Sequence, residues 1–197
     1  MRCLPQRASY RPVLPTELHV SEGVLEMTAT GLALLIASFL CMGLILTASL
    51  HDIATRTIPN GLVLFLAVAG MATALLAGHF VGSVLSATVI FALAAMCWRR
   101  RWMGGGDVKL LGAAALCLPP GEAATFVVAV AFAGGVLALF YLIASRLGAA
   151  PWRRRPNGLM ARAIRVERWR IGRRGALPYA SAIATGLMFV TLFGDRL

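Results

Sequence analysis

The chain has 197 residues, of which 59% are hydrophobic and 14% charged, and its mean hydropathy is +0.78; an ordinary soluble domain carries about 25% charged residues. That balance excludes a conventional soluble domain and points to a membrane protein. The formal net charge of +11 would suggest nucleic acid as a partner for a soluble chain, but here the basic residues flank apolar runs, so lipid is the expected partner and nucleic acid is not.

Residues 1–27 hold prolines, arginines and three glutamates without a continuous apolar core, so they do not read as a signal peptide. They are expected to form a loosely ordered tail, with either Met1 or Met27 as the start. The remainder, residues 28–197, reads as one all-α membrane domain. A helix needs roughly 20 apolar residues to cross about 30 Å of hydrocarbon. Thr28 to Leu50 meets that requirement. The stretch from Thr57 to Trp98 lacks Asp, Glu, Lys and Arg and divides at Gly78–Gly82 into spans at about 60–78 and 81–98. A shorter fourth segment follows the Gly104-Gly105-Gly106 run and reaches Leu118, where Pro119-Pro120-Gly121 breaks any helix. Glu122 to Ala144 and Ala176 to Phe193 supply the fifth and sixth spans, giving a transmembrane bundle of about six helices.

Short cytoplasmic loops accumulate Lys and Arg. Placing the loops after spans one, three and five on one side collects Arg56, then Arg99, Arg100, Arg101 and Lys109, then ten arginines from Arg146 to Arg174. The other side keeps Arg2, Arg7, Arg11 and Arg196, so both termini are expected to face away from the cytoplasm. The Arg-rich loop at 146–175 is expected to be solvated and to contact anionic lipid.

Sorting the acids by this topology leaves two that sit at helix ends on the cytoplasmic face, Asp52 and Asp107. Ionisable groups near hydrocarbon are costly and are functional candidates by default. Two carboxylates brought within a few ångströms hold one shared proton. One member then takes a proton from water as that water attacks a peptide carbonyl, while the other polarises the carbonyl oxygen. This chemistry calls for neither a metal nor a cofactor. The four cysteines, Cys3, Cys41, Cys97 and Cys117, contain no CxxC pair and indicate neither a zinc site nor a disulfide framework; three of them read as small buried hydrophobes. The helix N-terminus favours an ionised Asp107, which suggests it as the base, although coupled groups titrate as a pair. Lys109 reads either as a snorkelling lysine or as a charge that lowers a dyad pKa. The three glycines serve either close helix packing or the approach of an extended substrate.

Asp52-x-x-x-Arg56-x-Ile58-Pro59-Asn60, followed by Gly104-Gly105-Gly106-Asp107-Val108-Lys109-Leu110, resembles the signature of type IV prepilin peptidases, which are GxGD-class intramembrane aspartic proteases. Leu177-Pro178-Tyr179-Ala180 is similar to a weaker family motif at the start of the last helix. The resemblance implies catalysis by Asp52 and Asp107, with Gly104, Gly105, Gly106, Lys109, Arg56, Pro59 and Asn60 shaping the site. It implies removal of the basic leader from prepilins or pseudopilins at the cytoplasmic face of the inner membrane. The cytoplasmic CxxC segment of larger, methylating members is not found, so the chain resembles the short form associated with Flp or tight-adherence pili. The alternative reading is an ion- or proton-coupled transporter using Asp52 and Asp107 as a relay.

Overall fold

The computed structural model describes residues 17–146 and 177–194, with side chains from residue 29 onward. Within them the chain is all-helical, without strands: α1 (Glu17–Thr55), α2 (Asn60–Leu76), α3 (Phe80–Arg99), α4 (Gly105–Ala115), a 3-10 turn (Pro120–Glu122), α5 (Ala123–Arg146) and α6 (Tyr179–Phe193). Each of the six apolar segments is a helix. Three of them, in α1, α3 and α5, are long and apolar enough to cross a membrane, while α2 and α6 are shorter apolar helices. The residues from 147 to 176, which include most of the Arg-rich loop, and residues 1–16 of the expected tail lie outside the described part.

Three boundaries differ from expectation, all at polar residues. Helix α1 starts at Glu17 and not at Thr28, so residues 17–27 of the expected loosely ordered tail are helical. Helix α1 does not stop at Leu50 but continues to Thr55, so Asp52 is part of the helix and not of the connection after it. Helix α4 starts at Gly105, with Gly104 as its N-cap. Two of the three glycines are therefore helical, and Asp107 is the third helical residue. Apolar runs locate a helix well, but polar residues can extend it without changing that pattern.

The bundle is built with small residues inside and large ones outside. Alanines 48, 69, 74, 87, 94, 113, 114, 115, 180, 182 and 184 are buried, whereas Phe39 and Phe132 are each 75% exposed. Lipid tails are as apolar as the side chains, so burial gives little driving force between helices, and small residues let the backbones approach. At Gly186 of α6, for example, a Cβ would lie 3.0 Å from the backbone nitrogen of Val130 on α5.

Helix α4 is the centre of the arrangement. Seven of the eight residues from Val108 to Ala115, all but Lys109, are buried, because α2, α3 and α6 pack around the helix. On α1 the inward stripe is Cys41, Ile45, Ala48, Ser49 and Asp52, with the three- and four-residue steps of one helix face. Asp52 ends that stripe, which is why a carboxylate at the end of an apolar helix points into the bundle.

Candidate active site

Asp52 is the only charged residue buried among the described residues, at 7% exposed. The helix that carries it closes with the Arg56 N–H donating to the Asp52 carbonyl at 2.8 Å. Arg56 then adopts a left-handed conformation with φ of 58°, which a non-glycine residue holds only when its surroundings enforce it. His51 helps to enforce it: its Nδ1 lies 2.8 Å from the Thr57 carbonyl oxygen, which can only accept, so the nitrogen carries the proton. Pro59, at φ −62°, caps α2, and its carbonyl accepts from Leu62 N–H at 3.1 Å. The connection from α1 to α2 is thereby short and rigid.

Asp107 enters from α4. Its carboxylate folds back over the start of its own helix, so that a Cβ at Gly104 would lie 2.8 Å from its Oδ2, and it accepts from the Gly104 backbone. A side chain at the third helical position reaching back to the N-cap is half of a capping box. The other two glycines are covered. A Cβ at Gly105 would meet Trp98 at 3.3 Å, and one at Gly106 would meet Ile58 at 3.4 Å. Gly105 and Gly106 therefore serve packing, while Gly104 is the exposed one at the cavity.

Asp52 and Asp107 line one cavity of about 890 Å³, together with Arg56, Asn60, Lys109 and all three glycines. Of the residues singled out in the sequence, only Pro59 does not line it. Lys109 Nζ donates to Asn60 Oδ1 at 3.1 Å, tying α4 to α2 across the rim.

The electrostatics fall out differently from the sequence reading. Asp107 lies in the first turn of α4, ahead of its apolar stretch and outside the three helices that are long and apolar enough to cross a membrane. Burial, followed by the charge of Asp52, pushes its carboxyl up to about 6, against the Gly104 backbone hydrogen bond, which pulls it down. Desolvation thus outweighs the helix N-terminus. Lys109 directs its ammonium to Asn60. The proton belongs to the pair of aspartates.

The cavity also has walls that the sequence reading did not include among its site residues: Cys97 from the last turns of α3, Trp102 and Met103 from the α3–α4 connection, and Leu177 and Tyr179 from the entry of α6. For the last two a signal existed in the Leu177-Pro178-Tyr179-Ala180 motif. Tyr179 is held from behind by Gly134 of α5, where a Cβ would come within 2.9 Å of the ring.

Fold and site together define a helical membrane protein with two carboxylates, from separate helices, in one polar cavity. The chain belongs to the type IV leader peptidase family, whose model matches residues 39–139, a segment that contains both aspartates. It is accordingly a leader-peptidase-like protease, and the family implies prepilin substrates. No curated protein and no solved structure matches the chain.

Proposed function

We propose that the protein is an aspartic-type endopeptidase that removes the basic leader from prepilins or pseudopilins, with Asp52 and Asp107 as its catalytic pair. The observation that carries this reading is that the two acids, 55 residues apart in the chain, line the same cavity and are electrostatically coupled. One carboxylate and one carboxylic acid flank the water that attacks. The carboxylate removes its proton, the acid donates a hydrogen bond to the scissile carbonyl oxygen, and the roles reverse as the tetrahedral intermediate expels the amine. Exposed Gly104 at the cavity edge leaves room for an extended backbone, and Arg56, Asn60 and Lys109 shape the rim.

In the same reading all six helices are embedded in the bacterial inner membrane with both termini periplasmic. The cavity, next to Arg56 and the Arg99–Arg101 cluster, then opens to the cytoplasm. The Arg-rich segment 146–175 lies at the anionic lipid surface.

Co-expression with a leader-bearing pilin precursor tests the mechanism. Asp52→Asn and Asp107→Asn are each expected to abolish the mobility shift that reports leader removal while the protein still accumulates in membranes. Processing at the wild-type rate by either accumulated variant would refute the pair.

A further inference from the structure

Outside the cavity the structure joins two cysteines that the protease chemistry does not use. Cys41 lies on the inward face of α1 and is 3% exposed. Cys117, just past the end of α4, is partly exposed. Both thiols are free, and both sulfurs pack against one turn of α2. The Cys41 sulfur also lies 3.8 Å from Thr73 Oγ1. The Cys117 sulfur lies 3.7 Å from the Ala113 carbonyl oxygen and 3.0 Å from where a Cβ would stand on Gly70. Gly70 and Thr73 sit on one face of α2, which therefore backs both sulfurs and holds them together.

The position of this pair relative to the aspartates is what gives it meaning. Cys41 precedes Asp52 by eleven residues and Cys117 follows Asp107 by ten, so each thiol lies about 15 Å along its segment from the acid. The segments run in opposite directions, so the helix carrying Asp52 and the helix carrying Asp107 meet twice: at the acids and at the thiols. Elsewhere α2 and α6 separate α1 from α4, each packing against both.

We propose that Cys41 and Cys117 form a reversible disulfide that bolts α1 to α4 and thereby controls the geometry of the aspartate pair. Two S–H bonds break and one S–S bond forms, and the two electrons and two protons pass to a membrane-soluble two-electron acceptor of the quinone or azo class. Partly exposed Cys117 meets the oxidant first, and Cys41 completes the bond by displacement. Bonding draws the two sulfurs together to about 2.0 Å. Because α1 and α4 are rigid rods, part of that movement reaches the acids, and a misplacement of about 1 Å at a reacting centre costs up to ~100-fold in rate.

The chemical part of the proposal is independent of the proteolytic reading; the rate effect rests on it. The test uses the full chain in membrane vesicles treated with diamide, an azo oxidant that takes up both electrons and both protons as it becomes the hydrazine. Non-reducing digestion and mass spectrometry are expected to show a Cys41–Cys117 cross-linked peptide, and thiols trapped after denaturation are expected to fall from four to two per chain. The linked peptide should be missing from Cys41→Ser and from Cys117→Ser. Leader cleavage by the oxidised wild type is expected to fall at least tenfold and to recover with dithiothreitol, while both serine variants stay unchanged under diamide. Four free thiols after oxidation, or cross-links only between separate chains, would overturn the disulfide. A linked peptide with undiminished cleavage would overturn the control of the site.

Discussion

The alkaline limb of the pH–rate profile is the sharpest consequence of the site geometry. A water-attacking pair needs one ionised and one protonated member. Asp107 sits at about 6, well above the ordinary carboxylate value of 3.8, because burial and the charge of Asp52 both resist its ionisation. The sign is set by the charge of Asp52: raising the pH through 6 ionises Asp107 beside a partner that is already charged, leaves the pair without a proton and removes the acid. With a midpoint near 6, roughly 90% of the pair is competent at pH 5 and roughly 10% at pH 7, so the rate should fall about ninefold from pH 5 to pH 7. An ordinary carboxylate, with a midpoint near 4, would already be about 90% ionised at pH 5, and the rate would fall about 100-fold over the same interval. The assay is the initial rate of leader cleavage from a synthetic precursor peptide by detergent-solubilised protein between pH 4.5 and 8, with refolding controls at the acid end. A rate constant from pH 7 down to pH 5 would refute the assignment of a raised, coupled carboxyl to this cavity. A companion measurement follows Asp107 itself by carbon NMR. In Asp52→Asn one of its two upward influences is gone, so its midpoint should drop while staying above the ordinary value because burial persists.

Two further outcomes follow from the glycines. Gly104→Ala places a methyl group 2.8 Å from the present position of Asp107 Oδ2; the carboxylate must swing away from its backbone partner. Cleavage should fall ~10- to 100-fold with little change in thermal unfolding in detergent, and an unimpaired rate would show that this position of Asp107 is irrelevant. Gly186→Ala acts far from the cavity, where its methyl meets the Val130 backbone nitrogen at 3.0 Å and neither helix can yield locally. It should destabilise the α5–α6 contact by about 1–3 kcal/mol, read as a lowered unfolding temperature.

Much of the architecture was legible because membrane-spanning helices announce themselves by apolar length and by the charges that flank them. Asp52 and Asp107 stood out for the same reason: where almost everything is apolar, an acid at a helix end is conspicuous, and the residues around each carry the family motif. What that pattern does not encode is how helices far apart in sequence pack, since in lipid the packing depends on small residues such as Gly186 and Ala113–Ala115 and not on an apolar stripe. Only the assembled bundle decided that Asp52 ends the inward face of α1 and that the entry of α6 closes the cavity with Tyr179. The same is true of Lys109, which turns to Asn60, and of Cys41 and Cys117, which meet. The state of Asp107 was decided there too. Its place at a helix start, visible in the sequence, favours the charge, but its burial beside Asp52, which exists only in the folded bundle, disfavours it more strongly.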